Sequence, residues 1–126
     1  MKAFFWALLG CLPMTALAQS ACVITAHNER MSVKLCQENR TIPEALFASG
    51  FCQPELPDQQ VEVTLAEQCP QGAYGVCRHA QVQGVAYQQD IYYYGEHDSD
   101  ARFLQPACEQ MNKGQWEPLE RIQGAQ

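Results

Sequence analysis

Residues 22–52 read CVITAHNERMSVKLCQENRTIPEALFASGFC. Cys22–His27 and Met31–Cys36 are β-rich runs separated by the polar Asn28-Glu29-Arg30, which predicts a hairpin. A three-residue loop pairs His27 with Met31, and counting outward then sets Cys22 opposite Cys36. The following Thr41-Ile42-Pro43-Glu44-Ala45-Leu46-Phe47-Ala48 predicts a short helix. Thr41 is its cap, Pro43 and Glu44 occupy the first turn, and Gly50 is the stop. The order is therefore strand, strand, helix, cysteine, with the helix delivering Phe51 and Cys52.

Val61-Glu62-Val63-Thr64-Leu65 alternates apolar and polar residues, as a half-buried strand does. Cys69 to Cys77 has glycines flanking its tip, and a five-residue loop from Gln71 to Gly75 sets Cys69 opposite Cys77. Val76–Val82 and Val85–Tyr94 predict a second hairpin turning at Gln83-Gly84. Glu96, Asp98 and Asp100 lead into a helix from Asp100 to Asn112, with Gly114 as its stop. Pro106 lies inside that pattern and should kink the helix or delay its start. Trp116 opens a last short strand. The expected fold class is α+β: a small disulfide-stapled antiparallel sheet of about five strands with two short helices on one face. The strand-strand-helix-cysteine order of 22–52 recurs over 77–108, which reads as a degenerate ββα repeat.

The leader decides the compartment. Met1-Lys2 is a one-charge start, Ala3–Cys11 is an unbroken apolar run, and Ala16-Leu17-Ala18 offers small residues where a signal peptidase reads. The run falls short of the ~20 residues that span a bilayer. Residues 1–18 are thus read as a signal peptide and 19–126 as a single disulfide-rich domain, periplasmic or extracellular, with no transmembrane segment. Leu8-Leu9-Gly10-Cys11 also loosely resembles a lipobox. In that second reading Cys11 is lipidated and the domain is membrane-anchored.

Of seven cysteines, Cys11 lies in the leader. Cys22, Cys36, Cys52, Cys69, Cys77 and Cys108 remain, an even number in a short exported domain, which reads as a disulfide framework. No C-x2-C spacing points to zinc or to redox catalysis. Cys22–Cys36 and Cys69–Cys77 would close hairpin ends, leaving Cys52–Cys108 to tie the two helix ends together. A helix antiparallel to the strand before it carries its last residue away from the start of the hairpin. That disfavours Cys22–Cys52 and Cys77–Cys108.

Cys69-Pro70, Gly75-Val76-Cys77, Tyr92-Tyr93-Tyr94, Cys108 and Gly114-Gln115-Trp116 form a spaced pattern. It resembles small uncharacterised exported bacterial Cys-rich proteins with the pattern C-P…G-x-C…Y-Y-Y…C…G-x-W. The resemblance covers residues 69–116 and implies export and a bacterial source, but no activity.

Without Lys2, seven basic side chains face fourteen acidic ones. That balance argues against nucleic acid and anionic membrane surfaces as partners. His27, His79 and His97 share no metal-ligand spacing. The acids of Glu96-His97-Asp98-Ser99-Asp100 lack the spacing of a calcium loop. They read instead as the start of a helix, with Asp98 or Ser99 capping it. The serines lie in no nucleophile elbow. No catalytic, cofactor or metal residues are assigned. The most suggestive group is aromatic: in a strand Tyr92 and Tyr94 face one side and Tyr93 the other. Tyr92, Tyr93, Tyr94 and Trp116 form the candidate binding surface. The expectation is a non-enzymatic exported protein that binds an envelope or secreted protein or a glycan. The alternatives are a small cell-wall or glycan hydrolase and a structural envelope component.

Overall fold

A computed structural model describes residues 20–29, 32–53, 59–81, 85–96 and 98–120. The leader reading and the loop assigned to Gln83-Gly84 lie outside the described residues. Six strands form one antiparallel sheet: β1 (Ala21–His27), β2 (Ser32–Asn39), β3 (Gln60–Ala66), β4 (Gly75–Gln81), β5 (Gln88–Tyr94) and β6 (Gln115–Pro118). Their order is β3-β1-β2-β5-β4-β6. Among the described residues, two short helices complete the α+β fold. In α1, a turn at Glu44–Leu46 runs on into π-helical Phe47–Phe51. In α2, a 3-10 turn at Asp98–Asp100 leads into Ala101–Pro106 and π-helical Ala107–Met111.

Side-chain alternation gives the sheet two unlike faces. Cys22, Ile24, Leu35, Gln37, Val63, Cys77, Ile91, Tyr93 and Trp116 stand on the face that the helices cover. Lys34, Cys36, Glu38, Val76, Asp90, Tyr92, Tyr94 and Glu117 stand on the other. The helix-side core is split. Under α1, Cys22, Ile24, Ile42, Phe47 and Cys52 pack with Leu35, Phe51, Val61 and Tyr87. Under α2, Cys77, Ala80 and Cys108 pack with Ile91, Tyr93 and Trp116. Gln37 and Gln89 occupy the same face, and their side-chain carbonyl oxygens are buried without a hydrogen-bond partner.

The disulfides differ from those expected: Cys36 joins Cys69 and Cys77 joins Cys108. The cause is a register slip of one residue. His27 pairs with Ser32 rather than Met31, so Cys22 faces Gln37 and Cys36 faces Val23. With a side-chain period of two, that slip puts Cys22 and Cys36 on opposite faces and forbids Cys22–Cys36. Cys69–Cys77 fails because β3 pairs with β1, not with β4. The chain then crosses the open face, where Cys69 meets Cys36, while Cys77 points to the helices. Cys52 and Cys108 lie in separate cores, which rules out Cys52–Cys108. Cys77 and Cys108 do meet, contrary to the expectation from helix direction. At ~1.5 Å per residue the path from Asp98 to Cys108 is about 15 Å, short of the roughly 23 Å of a seven-residue strand, so α2 does not carry its cysteine the strand's full length.

The capping expectations need correction too. The Thr41 hydroxyl accepts a hydrogen bond from the Gln88 N–H at 2.8 Å, so it ties β2's end to β5 and caps nothing. Asn39 closes the approach to α1 instead: its amide donates to the Ile42 carbonyl and its oxygen accepts from the Ile42 N–H, both at 2.7 Å. Asp100, at the head of Ala101–Pro106, makes no side-chain capping bond. Pro106 does not delay α2; the π-helical stretch begins directly after it. Lys113, not Gly114, takes the left-handed conformation beyond the helix, with φ 55°. Gly114 is needed for space: a Cβ there would lie 2.7 Å from Cys77 Sγ and from the Arg78 carbonyl oxygen.

Candidate binding surfaces

The strand alternation that separates Tyr92 and Tyr94 from Tyr93 holds in the structure. Tyr93 and Trp116 meet on the helix-covered face, ring centroids 5.7 Å apart, and pack into the α2 core. Trp116 approaches Gly75 so closely that a Cβ there would strike its indole. Tyr92 and Tyr94 are half-buried on the open face. The four aromatic residues therefore do not share one surface.

Each open-face tyrosine is held by a cation and a polar partner. Lys34 Nζ sits 5.1 Å from the Tyr94 ring centroid, and the Tyr94 hydroxyl donates to the Pro70 carbonyl at 2.6 Å. Burial, then the nearness of Tyr92 and Glu38, push the Tyr94 phenol above its ordinary range, so it stays a neutral donor. Arg78 lies 5.8 Å from the Tyr92 ring centroid, and its Nη1 donates to the Tyr92 hydroxyl at 3.2 Å. The Cys36–Cys69 bridge and the Tyr94–Pro70 bond clip residues 69–73 over the sheet. Beneath the clip is a groove of about 360 Å³ lined by Glu38, Gln68, Pro70, Tyr92, Leu119 and Glu120. A second groove of about 230 Å³ is lined by Lys34, Tyr74, Tyr94, Glu96 and Asp100.

Sequence reasoning missed the charge cluster beside Tyr92. β4 bulges between Cys77 and Ala80, so Arg78 and His79 together oppose Asp90. His79 takes φ 57°, and its N–H donates to Asp90 Oδ1 at 3.0 Å. Arg40 Nε donates to the same oxygen at 2.6 Å, and Arg78 Nη1 to Oδ2 at 3.3 Å. Arg78 Nε pairs with Glu117 Oε2 at 2.6 Å. Burial alone would raise the Asp90 pKa. The Arg40 hydrogen bond, the His79 amide and the two guanidinium charges outweigh burial and hold the carboxyl below its ordinary value. Asp90 is thus an anion with both oxygens committed, a brace for the bulge rather than a free catalytic base. No sequence signal pairs an aspartate with two arginines 12 and 50 residues away; the β4–β5 and β2–β5 pairings do.

His27 ends β1, with Nδ1 2.9 Å from Ser32 Oγ, while His79 lies on β4 with Nδ1 3.2 Å from Gln88 Oε1. Two strands separate them. His97 is outside the described residues. Among the described residues, no group of three or more His, Cys, Asp or Glu side chains could hold a metal ion.

The sheet's outer edge is the other notable surface. β3 ends the strand order, so among the described residues its outer backbone edge pairs with no strand. Val63 and Leu65 stand on the helix side of β3 yet stay 40% and 38% exposed. No helix among the described residues is long and apolar enough to cross a membrane. Comparison with known protein families, curated proteins and solved structures finds no match.

Proposed function

We propose that this is an exported protein that binds another protein by taking an extended segment of it as an additional strand beside β3. The observation that carries this reading is the unpaired β3 edge with Val63 and Leu65 exposed next to it. Such an edge offers a row of backbone donors and acceptors, and alternate apolar side chains beside it give an incoming strand something to pack on. The pattern favours a partner with a short alternating apolar stretch. Export rests on the Met1–Ala18 leader, on a fold crosslinked by two disulfides, and on the resemblance of residues 69–116 to small exported bacterial proteins. A hydrolase would need two uncommitted carboxylates facing each other across a cleft. Asp90 and Glu117 are spent on arginines, whereas Glu38 and Glu120 line the first groove and Glu96 and Asp100 the second, so the binding reading rests on the β3 edge and not on a lack of carboxylates.

The test is capture from cell-envelope extract on the immobilised oxidised protein, beside the double variant V63K/L65K. Charges at an edge strand block strand addition without touching the core. The wild type should retain a partner that the variant loses at least about tenfold, while near-ultraviolet circular dichroism shows both folded. Equal capture by the two proteins would remove β3 as the site. Turnover of a muropeptide by the wild type, with nothing captured, would overturn the binding reading altogether.

The ββα repeat is likewise our proposal. Its support is topological: β1 and β4 each lie between their hairpin partner and the strand that follows the helix.

A further inference from the structure

We propose that Cys22 and Cys52 close a third disulfide, fastening α1 to β1 as Cys77–Cys108 fastens α2 to β4. Both are free thiols in this structure, and both are buried, at 0% and 2% exposure. They share one core cluster, and the Cys22 thiol donates to the Cys52 carbonyl oxygen at 3.9 Å. On the strand side the placement matches the observed crosslink. Cys22 lies on β1 between Gln37 of β2 and Leu65 of β3, and Cys77 lies on β4 between Ile91 of β5 and Trp116 of β6. Cys52 directly follows the π-helical stretch of α1, and Cys108 lies within that of α2. The inference stands on this contact and does not depend on the binding reading.

The reaction is thiol–disulfide exchange with a disulfide-bearing oxidant, such as glutathione disulfide or an oxidoreductase. One cysteine thiolate attacks the oxidant's disulfide, forming a mixed disulfide and releasing one oxidant sulfur as a thiol. The second thiolate attacks the cysteine-side sulfur of the mixed disulfide. The protein disulfide forms, and the other oxidant sulfur leaves as a thiol. Two electrons and two protons pass to the oxidant overall. In the folded reduced protein, burial raises both thiols above their ordinary range, so neither supplies much thiolate. Exchange therefore belongs to the stage before α1 docks.

The experiment refolds the full chain in a glutathione redox buffer and blocks free thiols with iodoacetamide under denaturing conditions before any reduction. Digestion with trypsin, a glutamate-specific protease and chymotrypsin, the last cutting after Leu17, separates Cys11, Cys22 and Cys52 from one another. The reading is taken on the species in which Cys36–Cys69 and Cys77–Cys108 are both intact. The expected result is a Cys22 peptide joined to a Cys52 peptide, with neither cysteine alkylated. Alkylation of both in that species would overturn the proposal, and so would either one joined to a different cysteine, Cys11 included.

Discussion

Asp90 concentrates the consequences of one residue's placement. Its side chain is 5% exposed, while Arg40 and Arg78 remain 37% and 28% exposed, so the cations keep some water and the anion almost none. Removing the anion leaves two arginines and the His79 amide without their shared acceptor. D90N should therefore cost about 3 kcal/mol at neutral pH, read as a fall in the denaturation midpoint. The pH dependence has a definite sign. Asp90's carboxyl is held below its unfolded value of about 3.9, so its contribution is complete above that value. It is lost as pH falls through the folded value. The gap between wild type and D90N should narrow as pH drops below about 4, and a gap independent of pH would show that the ion pairs are not its source. Gln37 and Gln89 predict the opposite sign. Each leaves a buried carbonyl oxygen unpaired, so Q37L or Q89L should raise stability by about 1 kcal/mol. A lowered melting temperature in both would mean that these oxygens are satisfied in solution.

At the scale of the element, the close approach of the chain after α2 to β4 is the sensitive point. Gly114 donates its N–H to the Cys108 carbonyl at 2.9 Å and leaves no room for a side chain over the Cys77–Cys108 sulfurs. G114A should destabilise the protein by about 2 kcal/mol by wedging α2 off β4, measurable by chemical denaturation. Lys113, already left-handed, should tolerate glycine and gain slightly from it. Much at this scale was legible in the sequence. Both hairpins, both helices, the alternation within Tyr92–Tyr94 and the short strand at Trp116 follow from local pattern and turn residues. The register of the first hairpin was not legible. Four residues rather than three separate His27 from Ser32. Nothing in Asn28-Glu29-Arg30-Met31 distinguishes the two loop lengths, because Met31 suits a strand as well as a loop. That single residue moved Cys36 to the other face and upset the pairing read from it.

For the whole molecule, the difficulty was non-local pairing. β3 crosses back to β1, and neither its alternating pattern nor Cys69 announces which strand it will join. The exposed β3 edge was hidden for the same reason. With two divided cores and unsatisfied glutamine oxygens between them, the crosslinks matter as much as the packing. Each closes a loop of about 30 residues, worth roughly 3–4 kcal/mol in the chain-entropy model. Dithiothreitol should therefore lower the thermal midpoint steeply or unfold the protein at 37 °C, as circular dichroism would show. A reduced protein that kept its midpoint would place stability in the cores instead. The strand order carries a last consequence. Cys36–Cys69 closes within β3-β1-β2 and its outgoing loop, and Cys77–Cys108 closes within β5-β4-β6 and α2. Neither crosses the β2–β5 seam, which is sealed by strand pairing and by the clip. Two molecules can thus trade halves and restore every bond of the seam between them, the hallmark of domain swapping. Refolding at high concentration should yield a dimer, seen by size-exclusion chromatography with light scattering, that does not dissociate on simple dilution. A monomer at every concentration would show that residues 70–74, the stretch between the Cys69 crosslink and β4, cannot span to a second molecule. The crosslinks guard each half without regard to which chain supplies its neighbour.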